Sequence, residues 1–269
     1  MPPILVFDIE TIPDLDTGRR LYPEIQDLAE DDALTALMAL REAEAGNTFM
    51  RTPLHKIACL SFLWVEGEHF SLKSLSLHHM SESEILTTFF RAFAKKPVIV
   101  SWNGSGFDVP VLLYRALHHK ISAPALFNPA IKPDYLYRYG DMHIDLMDKM
   151  SLGNYGNKQK LDTIASLCGI AGKGGTDGSQ VVPMVKAGEW ERLTTYCESD
   201  VLNTWFIYLR YQLLLGKLTH EQFDNAAVAT TQYLATLVDD KGVCRHENFL
   251  IDNTNDVQTA ANDNEQPSV

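Results

Sequence analysis

Four apolar residues, Ile4 to Phe7, run directly into Asp8, and Glu10 follows after a single isoleucine. Strand formers packed this densely read as a strand buried on both faces, so a core has to form on either side of it. Side chains two apart on a strand point the same way. Asp8 and Glu10 therefore share one face at the end of the apolar run, where they repel each other and lose water at a cost. A divalent cation between them removes the conflict, and carboxylate oxygens suit one. The plainer reading is that both acids lie in solvent beyond the strand and only terminate it.

The remaining sequence supplies a sheet and its covering helices. An acidic stretch of about residues 14–50 reads as a helical insertion over one edge, with Asp31 and Asp32 as caps and Leu34, Leu37, Met38 and Arg41 at helical spacing. KIACLSFLWVEG and EHFSLKSLSL are expected to pair as a hairpin across Glu66-Gly67-Glu68. Ser81 and Glu84 form a capping box for a helix presenting Ile85, Phe89 and Phe93. PVIVSWNG is a second short buried strand, and FDVPVLLYRALHH opens a helix after it, with Pro110 tolerated in the first turn. HIDLMDKM is the compact segment of a loop-rich middle, KLDTIASLCGI reads as a helix and GKGGTDGS as a loop. A long helix spans Glu189 to about Leu215, and a last helical stretch, residues 219–240, packs behind it. Strands alternating with helices predict a single α/β domain over about residues 1–250. The polar tail, 252–269, is expected to be disordered.

Two further acids stand out. Asp108 follows a buried strand and the turn Asn103-Gly-Ser-Gly-Phe107, at the start of a helix. An ordinary cap accounts for an Asp there, but not for glycines that let the backbone approach something closely. Tyr196 and Asp200 are four apart on the long helix and share a face, with Leu193, Val201 and Trp205 packing to one side. An acid among apolar residues needs a partner, such as a metal, unless it faces solvent.

The net charge of −12 argues against a protein that coats nucleic acid by charge, yet it suits an enzyme whose metal ions supply the positive charge locally. No apolar run reaches the roughly 18 residues of a membrane span, and no basic segment precedes an apolar one at the N-terminus. Cys59, Cys168, Cys197 and Cys244 show neither CxxC pairing nor metal-ligand spacing, so reduced thiols in a cytoplasmic protein are expected.

In order and separation, FDIET, NGSGFD and YCESD resemble the three exonuclease motifs of the DEDD family. Members of that family have a ribonuclease H-like fold, a mixed central sheet flanked by helices, and remove nucleotides from 3′ ends. Tyr196-x-x-x-Asp200 is similar to the tyrosine subclass; the histidine subclass would carry His five residues before its Asp, and Thr195 stands there. The spacing most resembles stand-alone predicted exonucleases related to the proofreading domain of family-B DNA polymerases, over about residues 4–215. HIDLMD, KLDTIASLCGI and GKGGTDGSQV also match that group.

The resemblance implies that Asp8, Glu10, Asp108 and Asp200 hold two Mg²⁺ or Mn²⁺ ions and that Tyr196 orients the attacking water. A phenol, with an ordinary pKa of about 10, is a poor base at neutral pH. Thr11 and Ile12 are candidates for holding the terminal sugar and base, with Ile12 equally readable as core. Asn103 either touches substrate or holds its turn, and Phe107 either stacks or packs. Asp145 is a helix cap or a supporting acid, and Lys158, Lys160 and Lys173 are placed to reach phosphates or are simply solvated. The implied activity is release of nucleotides from single-stranded 3′ ends, DNA favoured. The alternatives are an RNA-trimming enzyme, a silent nucleic-acid-binding module and a protein-interaction subunit. Degenerate modules usually lose a metal carboxylate, and here all four and the tyrosine are present. No polymerase segment is recognisable, and no protein partner is identified.

Overall fold

A computed structural model describes residues 2–127, 135–137, 140–170 and 178–250. Most of the GKGGTDGS segment, with Lys173, and the tail 252–269 lie outside the described residues. One mixed sheet of five strands organises the rest, in the order β3-β2-β1-β4-β5. These are β1 (Ile4–Pro13), β2 (His55–Glu66), β3 (His69–Ser76), β4 (Val98–Ser101) and β5 (His143–Asp145). The expected hairpin is β2–β3, antiparallel from Glu66↔His69 to Cys59↔Ser76. β1 pairs antiparallel with β2 and parallel with β4, which pairs parallel with β5.

The apolar run forms only the first half of its strand. β1 continues through Pro13 because the long β2 stays alongside it, pairing Asp8 with Ser61 and Glu10 with Cys59. Both acids are thus mid-strand and do not terminate it. The register slips between Glu10 and Thr11, where Ala58 is the extra β2 residue of a bulge. On the other flank, pairing with β4 stops at Val6↔Val100. Among the described residues, β1 from Phe7 onward has a strand on one side only.

Nine α-helices are present among the described residues: α1 (Leu15–Leu21), α2 (Glu30–Ala45), α3 (Glu82–Arg91), α4 (Asp108–His119), α5 (Leu146–Met150), α6 (Leu161–Leu167), α7 (Val181–Ala187), α8 (Trp190–Leu214) and α9 (His220–Ala235). Strand alternation sorts the core around β1. Leu5, Phe7 and Ile9 pack with Ile85, Leu86 and Phe89 of α3 and with Val111 and Leu112 of α4. Val6 packs the other way, with Val201, Leu202 and Trp205 of α8. By the same parity Asp8 and Glu10 lie on the α8 face of the sheet.

Two helix details differ from expectation. The N-cap of α2 is Ala29, with no side-chain hydrogen bond, and Asp31 and Asp32 sit in the first turn, where the helix dipole favours acids. The last helix stops at Ala235, and the chain then turns into a short bridge between Val238 and Cys244. The capping box of α3 forms as expected, Ser81 accepting from the Glu84 N–H and Glu84 accepting from Ser81. Residues 15–54 build a small apolar cluster of their own around Ile25, Leu37, Met50 and Leu54. No helix among the described residues is long and apolar enough to cross a membrane.

Candidate active site

The open flank of β1 is where the second motif enters. Where the β4 ladder has ended, the Ile9 N–H donates to Asp108 Oδ1 at 3.2 Å, across 99 residues of sequence. Asp108 is the first residue of α4 and follows an N-cap, Phe107, that offers no side-chain bond. Its carboxylate is therefore spent on β1 beside Asp8 and Glu10, not on capping its own helix.

The turn before Asp108 is held from several directions. Asp145 accepts from the N–H groups of Asn103 and Ser105, both at 3.0 Å, and from the Ser105 hydroxyl. It also caps α5 through the Asp148 N–H, so the cap and the supporting acid are one residue. Asn103 sits at φ +63°, a left-handed conformation that Asn tolerates, and its carbonyl accepts from Gly106 and Phe107. A Cβ on Gly104 would collide with the Ser101 side chain, and one on Gly106 with the Asn103 side chain. The close approach that the glycines permit is thus to the turn's own neighbours.

The third motif comes from α8, which lies against β1 and β2. Asp200 is 4% exposed and Tyr196 6%, which excludes the solvent-facing alternative for that aspartate. Tyr196 packs with Ala58, Cys59, Val181, Met184, Leu193 and Cys197, and Ile12 rests against the same cluster. Glu198, the next buried acid on the helix, accepts from Ser74 Oγ at 2.7 Å and His246 Nε2 at 2.8 Å, and pairs with Arg245 at 3.1 Å. These bonds anchor α8 to β3 and to the segment after α9.

Thr11 and Phe107 meet through a histidine that sequence reasoning did not single out. The Thr11 hydroxyl lies 2.8 Å from His55 Nδ1, and Phe107 stands edge-on to the His55 ring at 4.9 Å. Burial holds the His55 pKa below its usual value, so the ring is neutral at physiological pH. Phe49, largely exposed, closes this aromatic group at 5.0 Å from His55 and 5.5 Å from Phe107. Cys197 was not singled out from sequence either. Its S–H donates to the Asp8 carbonyl at 3.5 Å, and its sulfur lies 3.7 Å from Asp8 Oδ2. The available signal was helical spacing, since Cys197 precedes Asp200 by three residues.

The electrostatics are those of crowded acids. Burial is the main force raising the Asp108 pKa from 3.8 to about 7, and the charges of Asp145 and Asp200 push the same way. Hydrogen bonds from its own backbone and from Ile9 only partly oppose the rise. An acid with a raised folded-state pKa contributes most to stability below its unfolded value and loses that contribution as pH climbs toward the folded one. In EDTA, Asp108→Asn should therefore unfold at a higher temperature than wild type at pH 8. The gap should close as pH falls toward 4. A gap independent of pH, measured by thermal unfolding, would contradict the assignment.

The donor set fits hard divalent cations: Asp8, Glu10, Asp108 and Asp200 all offer oxygens, and the last three are buried. Ligand atoms of Asp8, Glu10 and Cys197 lie within 4.8 Å of one another.

Residues 47–250 match the sequence model of a family described as "Predicted 3'-5' exonuclease related to the exonuclease domain of PolB". The chain belongs to this family. The match includes Asp108, Tyr196 and Asp200, whereas Asp8 and Glu10 precede it. "DNA polymerase 1" of Sulfurisphaera ohwakuensis is 31% identical over 94 residues, covering 32% of this chain and 11% of that protein. Among solved structures, the family B DNA polymerase of Pyrobaculum calidifontis superimposes with a TM-score of 0.51 at 15% identity, over 93% of this chain and 27% of that one. The chain thus spans only a minor part of either polymerase. The likeness shows the fold, an α/β ribonuclease H-like sheet flanked by helices, as the motif order implied. The enzyme class of the family, 3′–5′ exonuclease, is the one expected from the motifs.

Proposed function

We propose that the protein is a metal-dependent 3′–5′ exonuclease that releases nucleotides from single-stranded 3′ ends, with DNA favoured. The observation that carries this reading is the bond from Ile9 to Asp108, which sets a buried acid from the second motif beside the acid pair of the first. At neutral pH such an arrangement costs stability, in line with the raised Asp108 pKa. It makes sense when cations are shared among the acids. Asp8, Glu10, Asp108 and Asp200 would hold two Mg²⁺ or Mn²⁺ ions. When bound, paired ions of this kind acidify a water and stabilise the departing oxygen of a phosphodiester.

The chain's own residues have narrower tasks. Asp145 fixes the turn that delivers Asp108. Tyr196, its ring held by Leu193, Met184 and Ile12, aligns a water through its hydroxyl. Tyr196→Phe should lower the rate by about 10²-fold while leaving thermal stability nearly unchanged, because only alignment is lost. Equal rates for the two proteins would remove Tyr196 from the site. Thr11 and Phe107 adjoin Glu10 and Asp108 in sequence, Ile12 rests against the Tyr196 cluster and Asn103 holds the turn before Asp108; these four are the proposed contacts for the terminal nucleotide. The DNA preference rests on the polymerase relatives alone.

The direct test uses pure protein with 5′-labelled single-stranded DNA or RNA and Mg²⁺, Mn²⁺ or EDTA. A ladder shortened from the 3′ end, absent in EDTA, is expected, faster on DNA. Faster shortening of RNA would make the enzyme an RNA trimmer. Failure to degrade either polymer with any metal would overturn the exonuclease reading.

A further inference from the structure

Four cysteines looked inert in sequence, and one of them lies against the proposed metal ligands. Cys197 is fully buried on α8 and faces β1. Its sulfur is 3.7 Å from Asp8 Oδ2, and the ligand atoms of Asp8, Glu10 and Cys197 fall within 4.8 Å of one another. A tetrahedral ion with sulfur at about 2.3 Å and oxygen at about 2.1 Å holds those two atoms roughly 3.6 Å apart. The observed sulfur–carboxylate spacing is therefore already that of two ligands on one ion. Glu10 has a ligand atom within 4.8 Å of both.

Mg²⁺ would ignore the sulfur, since it demands oxygen ligands. Softer ions behave otherwise, because thiolate ligands select for zinc and its congeners. We propose that Asp8, Glu10 and Cys197 form a mixed oxygen–sulfur site that captures a thiophilic divalent ion, such as Zn²⁺ or Cd²⁺, in competition with the hard ions of the exonuclease reaction. On coordination the S–H bond breaks, its proton leaves to buffer and the sulfur donates an electron pair to the ion, with no change of oxidation state. The hydrogen bond to Asp8 is given up in exchange. Cys59, also buried and hydrogen-bonded to Cys197, is the cross-strand partner of Glu10 but does not join the group of mutually close ligand atoms.

The inference rests on Asp8 and Glu10 being metal ligands, and its test needs no catalysis. Metal-stripped full-length protein is loaded with one equivalent of Zn²⁺ for X-ray absorption and with Cd²⁺ for ultraviolet charge-transfer spectra, and Mg²⁺ binding is followed by calorimetry. A sulfur shell at about 2.3 Å is expected in wild type and in Cys59→Ser, and it should vanish in Cys197→Ser. Mg²⁺ binding should be unchanged in Cys197→Ser. Should that variant not fold, the double variant Asp8→Ala, Glu10→Ala decides the question, because without both carboxylates the zinc affinity should fall at least about tenfold. Bound zinc with oxygen and nitrogen neighbours alone overturns the mixed site and leaves the Mg²⁺ reading standing. A sulfur shell that survives Cys197→Ser overturns it as well, as does zinc affinity unchanged when Asp8 and Glu10 are both alanine. Absence of both Zn²⁺ and Mg²⁺ binding overturns the inference together with the metal-ligand reading.

Discussion

Asp8→Ala should slow 3′ nucleotide release by about 10³-fold or more, equivalent to about 4 kcal/mol of lost transition-state stabilisation. The side chain stands mid-strand on the α8 face, so its removal leaves the sheet intact. Ile9 still donates to Asp108, and β1 still pairs with β2 through the neighbouring residues. A folding defect is therefore not expected, and thermal unfolding in EDTA should match wild type or exceed it, because one of several crowded acids has gone. Rate loss without stability loss separates a metal ligand from a structural acid. A variant retaining more than a tenth of the wild-type rate at saturating Mg²⁺ would remove Asp8 from the reaction.

Arg115→Ala should have the opposite signature, a large loss of stability with no direct part in chemistry. Arg115 is buried on α4 and forks onto Glu82 at 2.8 and 2.6 Å, while its third nitrogen bonds Asp14 at the end of β1. Glu82 also accepts from the Ile57 N–H at 2.8 Å and contacts His119 at 2.7 Å. Removing the guanidinium leaves two buried carboxylates without their cation, which typically costs about 3–5 kcal/mol. Urea unfolding of Arg115→Ala should show that loss, and Arg115→Lys should recover only part of it, since an ammonium cannot span both partners. A change below about 1 kcal/mol would mean that water replaces the guanidinium at this site. The position matters because α4 also carries Asp108, so the same cluster that fastens the helix aims the acid.

Much of this was readable from residues alone. Hydrophobic alternation located the hairpin, the capping box located α3, and the ordered acids pointed to a common site. What escaped reading has a common cause, dependence on a partner remote in sequence. The length of β1 could not be read from the four apolar residues, because its second half is held by β2 and not by its own hydrophobicity. Asp108 was singled out for its glycine turn, but that it accepts from the Ile9 N–H, 99 residues away, could not be read from its neighbours. Asp31 and Asp32 looked like caps for the same reason, yet a first turn accepts acids as readily. Cysteine spacing along the chain said nothing of Cys197, whose neighbour Asp8 is 189 residues away.

The open flank of β1 has a consequence for how the protein comes into being. Contacts that close late in sequence are slow to form, because a long loop must be ordered before they reward it. The first acid pair is followed by the second motif about a hundred residues later, and by α8 after nearly two hundred. A growing or partly folded chain therefore carries the acids without the site. If the acids act together as proposed, the site is complete only once α8 has docked on β1, and nuclease activity should appear only with the finished fold.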